Sequence, residues 1–291
     1  MKVLSINAEK FNLPSSWNEL TPDQLLRIAE LSEAERTEAD FKLKALLRIT
    51  GLRLQERNPV MMDGELHYYM RAPSRNVFLV TVNDIGYVTE YLNFLFDYEE
   101  KKGQIICILS SRLTKNLIGP VKVGKELWHG PADGLSNLKT GEYIRAEMCL
   151  HNFYEKKDIT YLFMLFATLW RPAAVDPIST DIREAFDDGL VENRSLQVRD
   201  VPLRILLAVV LFYTGCRKML ALKFEHASNG KGGKVDKDVF MNFMRMVNGL
   251  ANNDVTKHEA VRQTYLMEMM ITVDEMARQA EEMEAKIKKK R

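Results

Sequence analysis

The hydrophobic positions near the end of the chain repeat at alternating spacings of three and four residues. This spacing is typical of a coiled-coil heptad and predicts a long helix over 257–290 with one apolar edge. We call the apolar positions the terminal seam and expect them to form an interaction surface. The seam consists of Leu266, Met269, Val273, Met276, Ala280, Met283 and Ile287.

The width of this apolar stripe changes along the helix. Met270 and Ala277 widen it in the first two heptads, whereas Glu284 and Lys286 flank it beyond Ala280. A wide stripe favours docking on a globular core, and a narrow one favours a helix with solvent on both sides. We therefore expect the first half to pack on the body of the protein and the last turns to project. Packing within the chain and self-association both remain open.

The first 125 residues mix strand and helix patterns. Thr21 and Gln24 have capping-box spacing with Pro22 between them, which predicts a helix start, and Gly51 predicts the end of a second helix over 39–50. Asp63-Gly64 predicts a hairpin turn. Residues 1–6 and 77–82 read as strands, Asn83 is expected to cap a helix, and residues 105–109 fit either a strand or a helix start.

The composition changes between Gly119 and Gly134, where glycine and proline are concentrated. Such a change marks a boundary, and the pattern after it is helical. The predicted fold is mainly α: a small α+β domain with a β-hairpin over 1–125, a linker over 126–134, and an all-α bundle over 135–291 that ends in the heptad-patterned helix. The helices predicted in the second domain are 141–156, 160–170, 179–188, 202–223, 236–250 and 257–290.

Composition and charge exclude few classes of function. The chain has 291 residues, 46% of them hydrophobic, and a formal net charge of +1, so no global field attracts nucleic acid or an anionic membrane. Three separated cysteines are typical of a reduced intracellular protein. The apolar runs 161–170 and 205–213 are shorter than the ~20 residues of a membrane span, so we interpret them as buried helices.

Candidate catalytic and metal-binding patterns are weak. Residues 119–125 have the glycine and lysine spacing of a phosphate-binding loop, but Glu126 follows where a hydroxyl is needed, and Pro120 removes an amide, so we interpret them as linker. Cys149 and His151 would lie on different faces of a helix. We therefore expect no enzyme activity, cofactor or metal. An enzyme whose site is assembled from scattered residues stays open, including an acidic helix face made of Asp181, Glu184, Asp187 and Asp188.

A second alternative is nucleic-acid binding. The chain ends in a basic tail, and the loop over 228–234 is rich in glycine and lysine. Lysines at the end of a helix also complement the helix dipole, and local glutamates balance the tail, so a structural role is the simpler interpretation. The basic residues of the tail are Lys286, Lys288, Lys289, Lys290 and Arg291.

Three segments carry a family resemblance: 16–25 (SWNELTPDQL), 130–143 (GPADGLSNLKTGEY) and 169–172 (LWRP). They resemble proteins encoded by phages and prophages of Bacteroidetes-type hosts, often among virion and tail genes. The resemblance implies a virion component or tail-assembly factor without enzyme activity, located in the virion or the host cytoplasm. It also implies that the partners are other phage structural or assembly proteins. A homo-oligomer is a further possibility that comes from the terminal seam and not from the resemblance.

Overall fold

The structure is a computed structural model that describes residues 2–6, 9–34, 37–101, 104–175, 181–229 and 239–289. The chain divides into two compact units. Unit 1 is Met1–Leu113 together with Leu203–Leu211, and unit 2 is Thr114–Pro202 together with Phe212–Arg291. The division therefore falls before the predicted linker over 126–134, and the chain returns once to unit 1.

In its described residues, unit 1 combines α-helices with short antiparallel sheets, and it includes the helical stretch Leu203–Leu211. Its other elements are β1 (Lys2–Ile6), β2 (Glu9–Leu13), α1 (Pro22–Ala34), α2 (Glu38–Thr50), β3 (Arg53–Leu54), β4 (Val60–Met62), β5 (Glu65–Arg71), β6 (Val77–Thr81), α3 (Val82–Thr89), β7 (Phe96–Lys101) and β8 (Gln104–Leu109). β1 pairs with β2, β5 pairs with β3, β4 and β6, and β7 pairs with β8.

Local signals in unit 1 form as predicted. The Thr21 backbone N–H donates to Gln24 Oε1 at 2.9 Å, and the Gln24 N–H donates to Thr21 Oγ1 at 3.3 Å, which completes the capping box of α1. Gly51 ends α2 in the left-handed region at φ 73°. Asp63 and Gly64 both have positive φ and join β4 to β5, as a two-residue hairpin turn requires.

One predicted cap in unit 1 is wrong. α3 is capped by Thr81 and not by Asn83, because the Thr81 hydroxyl accepts from the Asp84 N–H while the Asp84 carboxylate accepts from the Thr81 N–H. The ambiguous stretch around Ile105 is a strand, β8. Apolar side chains from the sheets of unit 1 and their flanking segments form a buried core cluster. Its members are Phe11, Leu52, Met70, Ala72, Phe78 and Val80.

Unit 2 contains a small sheet and most of the longer helices. The elements are β9 (Val121–Val123), β10 (Glu126–His129), α4 (Thr140–Lys156), α5 (Thr160–Leu169), β11 (Arg171–Pro172), α6 (Val191–Gln197), α7 (Leu203–Lys223, of which Leu203–Leu211 belongs to unit 1), α8 (Glu225–Asn229), α9 (Val239–Leu250), α10 (His258–Gln263) and α11 (Leu266–Lys289). β10 pairs with both β9 and β11.

The prediction of a small α+β domain followed by an all-α domain is wrong. Helix makes up 58% and strand 18% of the structure, and the sheets are spread through the chain. The stretch interpreted as linker contains β9 and β10, whose inward residues Val121, Val123 and Trp128 are buried. Alternating burial of this kind requires strands, and Gly124 at φ 58° provides the turn between them.

Two further helix predictions in unit 2 need correction. The described residues of 179–188 contain no α-helix, and Arg183 instead forms an isolated bridge with Ala173. The long helix predicted over 257–290 is divided into α10 and α11, and Asp254 caps a 3₁₀ turn over Val255–Lys257 that precedes α10. Pro202 occupies the cap of α7 without a side-chain hydrogen bond.

Aromatic rings form the centre of unit 2. Phe166 stacks on Trp128 at a centroid distance of 6.3 Å and on Trp170 at 5.6 Å, and Phe212 meets Trp170 edge-on. Gly130 lies so close that an added Cβ would be 2.4 Å from the Trp170 ring. Only glycine fits there, and its lack of a side chain lets the backbone at Gly130 pack directly on the Trp170 ring.

Among the described residues, α7 is the one helix long and apolar enough to cross a membrane, with a mean hydropathy of 1.8. Inside the structure, 61% of that window is buried. A buried core helix has the same length and composition. This agrees with the interpretation of the apolar run over 205–213 as a buried helix.

Candidate interaction surface

The terminal seam lies entirely on α11, but its residues have two different environments. Leu266 and Met269 are buried, at 0% and 3% exposure, whereas Met276, Met283 and Ile287 are 50%, 63% and 58% exposed. Val273 is half-buried and Ala280 is exposed. All of 276–288 is exposed except the half-buried Ala277, and we call 276–288 the exposed end of α11.

The start of α11 is held by main-chain hydrogen bonds to the segment that begins α4. The Leu266 N–H donates to the Leu138 carbonyl at 2.8 Å, and the Thr140 N–H donates to the Thr264 carbonyl at 2.9 Å. The Lys139 ammonium lies 3.3 Å from the centre of the Tyr265 ring. These contacts fix the direction in which the helix leaves the body.

α8 supports the middle of α11 from one side. The Asp274 carboxylate accepts from the Ala227 N–H at 2.9 Å, and His226 Nδ1 lies 2.9 Å from Glu281 Oε2. Asp274 and Glu281 are one heptad apart and occupy the same helix position, which is outside the terminal seam. The α8 contact therefore leaves the exposed side chains of Met276 and Met283 uncovered.

Ion pairs cover the outer face of the exposed end. Arg278 donates through Nη2 to Glu275 Oε1 at 2.7 Å and through Nη1 to Glu282 Oε1 at 2.6 Å. The hydrogen bond from Arg278 lowers the pKa of the Glu275 carboxyl to about 2. Lys286 and Lys288 are exposed, and the tail residues Lys290 and Arg291 lie outside the described residues. The surface is therefore an apolar stripe bordered by solvated charges.

A cavity of about 670 Å³ in unit 2 lies between α4, α10 and the segment before α6. Two of the arginines that line it, Arg145 and Arg194, have acidic partners. Arg145 Nε lies 3.4 Å from Asp188 Oδ1, and Arg194 donates to Glu184. Arg262 contacts the Met244 sulfur through Nη2 at 3.5 Å. The Nε atoms of Arg145 and Arg262 are buried without a hydrogen-bond partner among the described residues, so the polar groups of this cavity are only partly satisfied within the chain.

A buried ion network holds the segment after α5. Arg171 Nη1 donates to Glu142 Oε2 and to the Thr168 carbonyl, both at 2.8 Å, and Arg183 Nη1 lies 3.3 Å from the same Glu142 oxygen. Arg183 also donates through Nη2 to Asp181 Oδ2 at 2.7 Å. The bond to Thr168 satisfies one of the last carbonyls of α5. Buried charges persist where each has such partners.

A second buried acid, Glu147, joins α4 to α7. Its Oε1 accepts from the Tyr213 hydroxyl at 2.8 Å and pairs with Arg217 Nε at 2.6 Å. Burial raises the pKa of the Glu147 carboxyl, and the Arg217 charge opposes that rise. No sequence motif marks this group, because its members are brought together only by helix packing.

The remaining sequence candidates do not assemble a site. Residues 119–125 form β9 and its flanking turns, and burial raises the pKa of the Cys149 thiol to about 12, which makes it unreactive. Asp181 and Glu184 pair with arginines. No metal-binding group of three His, Cys, Asp or Glu occurs in the part of the chain that the structure describes. In the loop over 228–234, Ser228 and Asn229 end α8, and 230–234 lie outside the described residues.

Comparison with known proteins adds no relative. No protein-family model matches this sequence, and no curated protein or solved structure matches it.

Proposed function

We propose that this chain is a non-enzymatic structural or assembly protein that binds other protein subunits through the exposed end of α11. The observation that carries this proposal is the division of the terminal seam. Its first residues are buried in unit 2, and its last ones present methionine and isoleucine to solvent. The phage setting of the proposal, in virion or tail assembly, rests on the resemblance of the three sequence segments.

A helix with this arrangement suits protein recognition. Its start is fixed by hydrogen bonds to the body, so little conformational freedom remains to be lost when the exposed end binds. Methionine side chains adapt to uneven surfaces because they are unbranched and polarizable. An amphipathic helix that places its apolar edge in a groove or against another helix is a recurrent mode of protein recognition.

The buried polar groups of unit 2 support the same proposal indirectly. Glu142 and Glu147 are satisfied by arginine and tyrosine partners within the chain. Groups held in this way stabilise the body and give it a single structure. The Glu142 and Glu147 groups are therefore explained by a structural role in unit 2.

Co-purification with the products of neighbouring genes tests the proposal. The double variant Met283→Lys, Ile287→Lys places two charges in the stripe, and Ile271→Lys places one on another face of the same helix. Ile271 is 59% exposed, comparable to Ile287, so it is a matched control. We expect the full chain and the Ile271 variant to associate with a tail or capsid component and the double variant to lose that association.

Two outcomes would contradict the proposal. One is association that the double variant leaves unchanged. The other is binding to nucleic acid that weakens steeply with salt and depends on the lysines after Met283, which would favour the nucleic-acid alternative.

A further inference from the structure

One side of the sheet around β5 faces away from the core cluster of unit 1. Its residues follow from the register, because residues opposite each other on antiparallel strands share a face, as do residues two positions apart along a strand. The Gln55 N–H donates to the Tyr69 carbonyl at 2.9 Å and extends the pairing of β3 by one residue. We call this side the outer face. Its first row is Arg53, Arg71 and Val77, and its second row is Gln55, Tyr69 and Leu79.

The first row places two like charges directly opposite each other. Arg53 and Arg71 are register partners, and both side chains are exposed. Neither forms an ion pair with any residue that the structure describes. Like charges at opposite positions of a sheet destabilise it. An anion that contacts both guanidinium groups removes this cost, and the planar guanidinium matches the oxygens of a phosphate.

The second row lacks a hydrogen-bond donor. The Gln55 Oε1 atom is buried and accepts no hydrogen bond from the described residues, which leaves its desolvation uncompensated. Its register partner Tyr69 is half-buried, and the Arg57 guanidinium lies 5.6 Å from the centre of the Tyr69 ring. A flat group with N–H donors fits here, because it stacks on an aromatic or guanidinium plane and donates to the amide oxygen.

We infer that the outer face binds single-stranded nucleic acid. Backbone phosphates contact Arg53 and Arg71, and a base stacks at Tyr69 and donates to Gln55. The two rows are about 7 Å apart because a strand rises about 3.3 Å per residue, and one nucleotide spans this distance between its phosphate and its base. Basic groups beside an aromatic platform are typical of single-strand binding. The outer face belongs to unit 1, so this inference goes beyond the proposed function of α11 and does not depend on it.

Acidic residues do not neutralise the first row. Glu65 begins β5 and Arg71 ends it, so the two are roughly 20 Å apart along the strand, beyond the Debye length of about 8 Å. Glu65 also accepts a hydrogen bond from Asn83 Nδ2 at 3.3 Å. Glu56 is exposed and forms no ion pair with a described arginine. The arginine end of the outer face therefore keeps an uncompensated positive charge.

An acidic peptide is the other partner that two unpaired arginines attract. Its carboxylates satisfy the first row, but an ionised carboxylate only accepts hydrogen bonds and offers no donor to Gln55. An acidic side chain also has no ring to stack on Tyr69. The amide oxygen and the ring of the second row therefore favour a nucleotide over an acidic side chain.

Fluorescence anisotropy of the full chain with labelled oligothymidylate and oligouridylate, each about 12 nucleotides long, tests the inference. We expect a dissociation constant in the micromolar range at about 50 mM salt and weaker binding at about 200 mM, because bound phosphates release counterions. A preference for one of the two strands assigns the ligand as DNA or RNA. Poly-glutamate, added as a competitor, detects an acidic-peptide site.

The double variant Arg53→Gln, Arg71→Gln tests the phosphate contacts. It should raise the dissociation constant at least ~10-fold and reduce the slope of log affinity against log salt by about 1.4, since each lost contact with a single strand removes about 0.7. The matched control is Arg199→Gln, Arg204→Gln. Both of these arginines are exposed and form no ion pair with a described residue, so the control removes the same charge elsewhere. It should change the dissociation constant by less than ~3-fold.

Tyr69→Leu tests the stacking contact, and Tyr69→Phe is its control. Leucine should raise the dissociation constant at least ~5-fold, because it removes the ring on which the base stacks. It should leave the salt slope unchanged, because it removes no charge. Phenylalanine keeps the ring and should stay within ~2-fold of the wild type.

Stability provides a readout that separates ligand binding from a structural role of the arginines. Arg53→Gln should leave the midpoint of urea denaturation unchanged or raise it, since it relieves the repulsion from Arg71. A clearly lower midpoint shows that Arg53 stabilises the sheet and overturns the inference.

Three binding results also overturn it. One is the absence of binding to either strand at about 50 mM salt. Another is binding that the double variant of Arg53 and Arg71 leaves unchanged. The third is displacement of the oligonucleotide by an equal charge of poly-glutamate, which assigns the outer face to an acidic peptide. None of these results bears on α11, because its partner is tested by the variants of Met283 and Ile287.

Discussion

The body of unit 2 and the exposed end of α11 contain the same pair of residue types in opposite surroundings. Glu147 pairs with Arg217 in the body, and burial raises the pKa of its carboxyl. Glu275 pairs with Arg278 in solvent, and the hydrogen bonds it accepts lower the pKa of its carboxyl to about 2. The same pair of residue types therefore accompanies pKa shifts of opposite direction. Desolvation is the largest cause at the buried Glu147 and is outweighed by hydrogen bonds at the exposed Glu275.

The apolar residues of α11 show the same contrast. Leu266 and Met283 belong to one repeat, yet the first is fully buried and the second is 63% exposed. A heptad pattern records which side of a helix is apolar, but it does not record what covers that side. The part of the repeat left uncovered by the body is therefore the part available for a partner.

The largest effect is expected from Glu142→Ala. It leaves the buried guanidinium groups of Arg171 and Arg183 without their shared carboxylate. Breaking a buried ion network costs about 3 to 5 kcal/mol in the free energy of unfolding, which urea denaturation measures. The matched variant Glu282→Ala, on the exposed end, should change that free energy by less than ~1 kcal/mol. Equal losses in the free energy of unfolding for Glu142→Ala and Glu282→Ala would contradict the difference between buried and exposed ion pairs.

The next effect separates the two ends of the seam. Leu266→Ala removes a fully buried side chain and is expected to cost about 2 to 5 kcal/mol in the free energy of unfolding. Met283→Ala should change that free energy by less than ~0.5 kcal/mol at protein concentrations where the chain is monomeric. Thermal or urea denaturation of both variants checks the pair, and a loss above ~1 kcal/mol for Met283→Ala would show that the exposed end is packed.

The smallest effect concerns pH. Because the pKa of Glu147 is raised in the folded state, that state holds more protons than the unfolded one between the unfolded and folded pKa values. The stability of the wild-type protein relative to Glu147→Gln should therefore rise as the pH falls from the neutral range toward the pKa of about 4.3 that glutamate has in an unfolded chain. Glu275 has a lowered pKa, so Glu275→Gln should show the opposite trend at more acidic pH. The midpoints of urea denaturation, measured as a function of pH, test both expectations. A difference between the wild type and Glu147→Gln that does not change with pH would contradict the raised pKa of Glu147.

Local signals in the sequence were sufficient to predict those parts of the structure that depend only on neighbouring residues. The capping box at Thr21 and Gln24, the left-handed Gly51 and the turn at Asp63-Gly64 are all short-range features, and all form. The repeat of α11 likewise predicts an apolar edge because it depends only on helix geometry.

Other features depend on distant partners and could not be predicted in this way. The strand β10 is held by Trp128, which packs on Phe166, and its alternation was short enough to be interpreted as linker. The acids after residue 180 have helical spacing, but Arg183 and Arg194 bind them in a different conformation. The Glu142 network joins residues from three separate segments, so no local spacing reveals it.

The bridge between Lys139 and Tyr265 has a consequence for sequence change over evolution. Its two hydrogen bonds are donated by the main-chain N–H groups of Thr140 and Leu266, so the bridge itself does not depend on which side chains those residues have. Proline is the exception, because it lacks the N–H group. Homologues are therefore expected to exclude proline at both positions and to keep an apolar residue at 266. At position 140 a buried hydroxyl is expected to persist, because Thr140 is fully buried and its hydroxyl also donates to the Thr264 carbonyl at 3.0 Å.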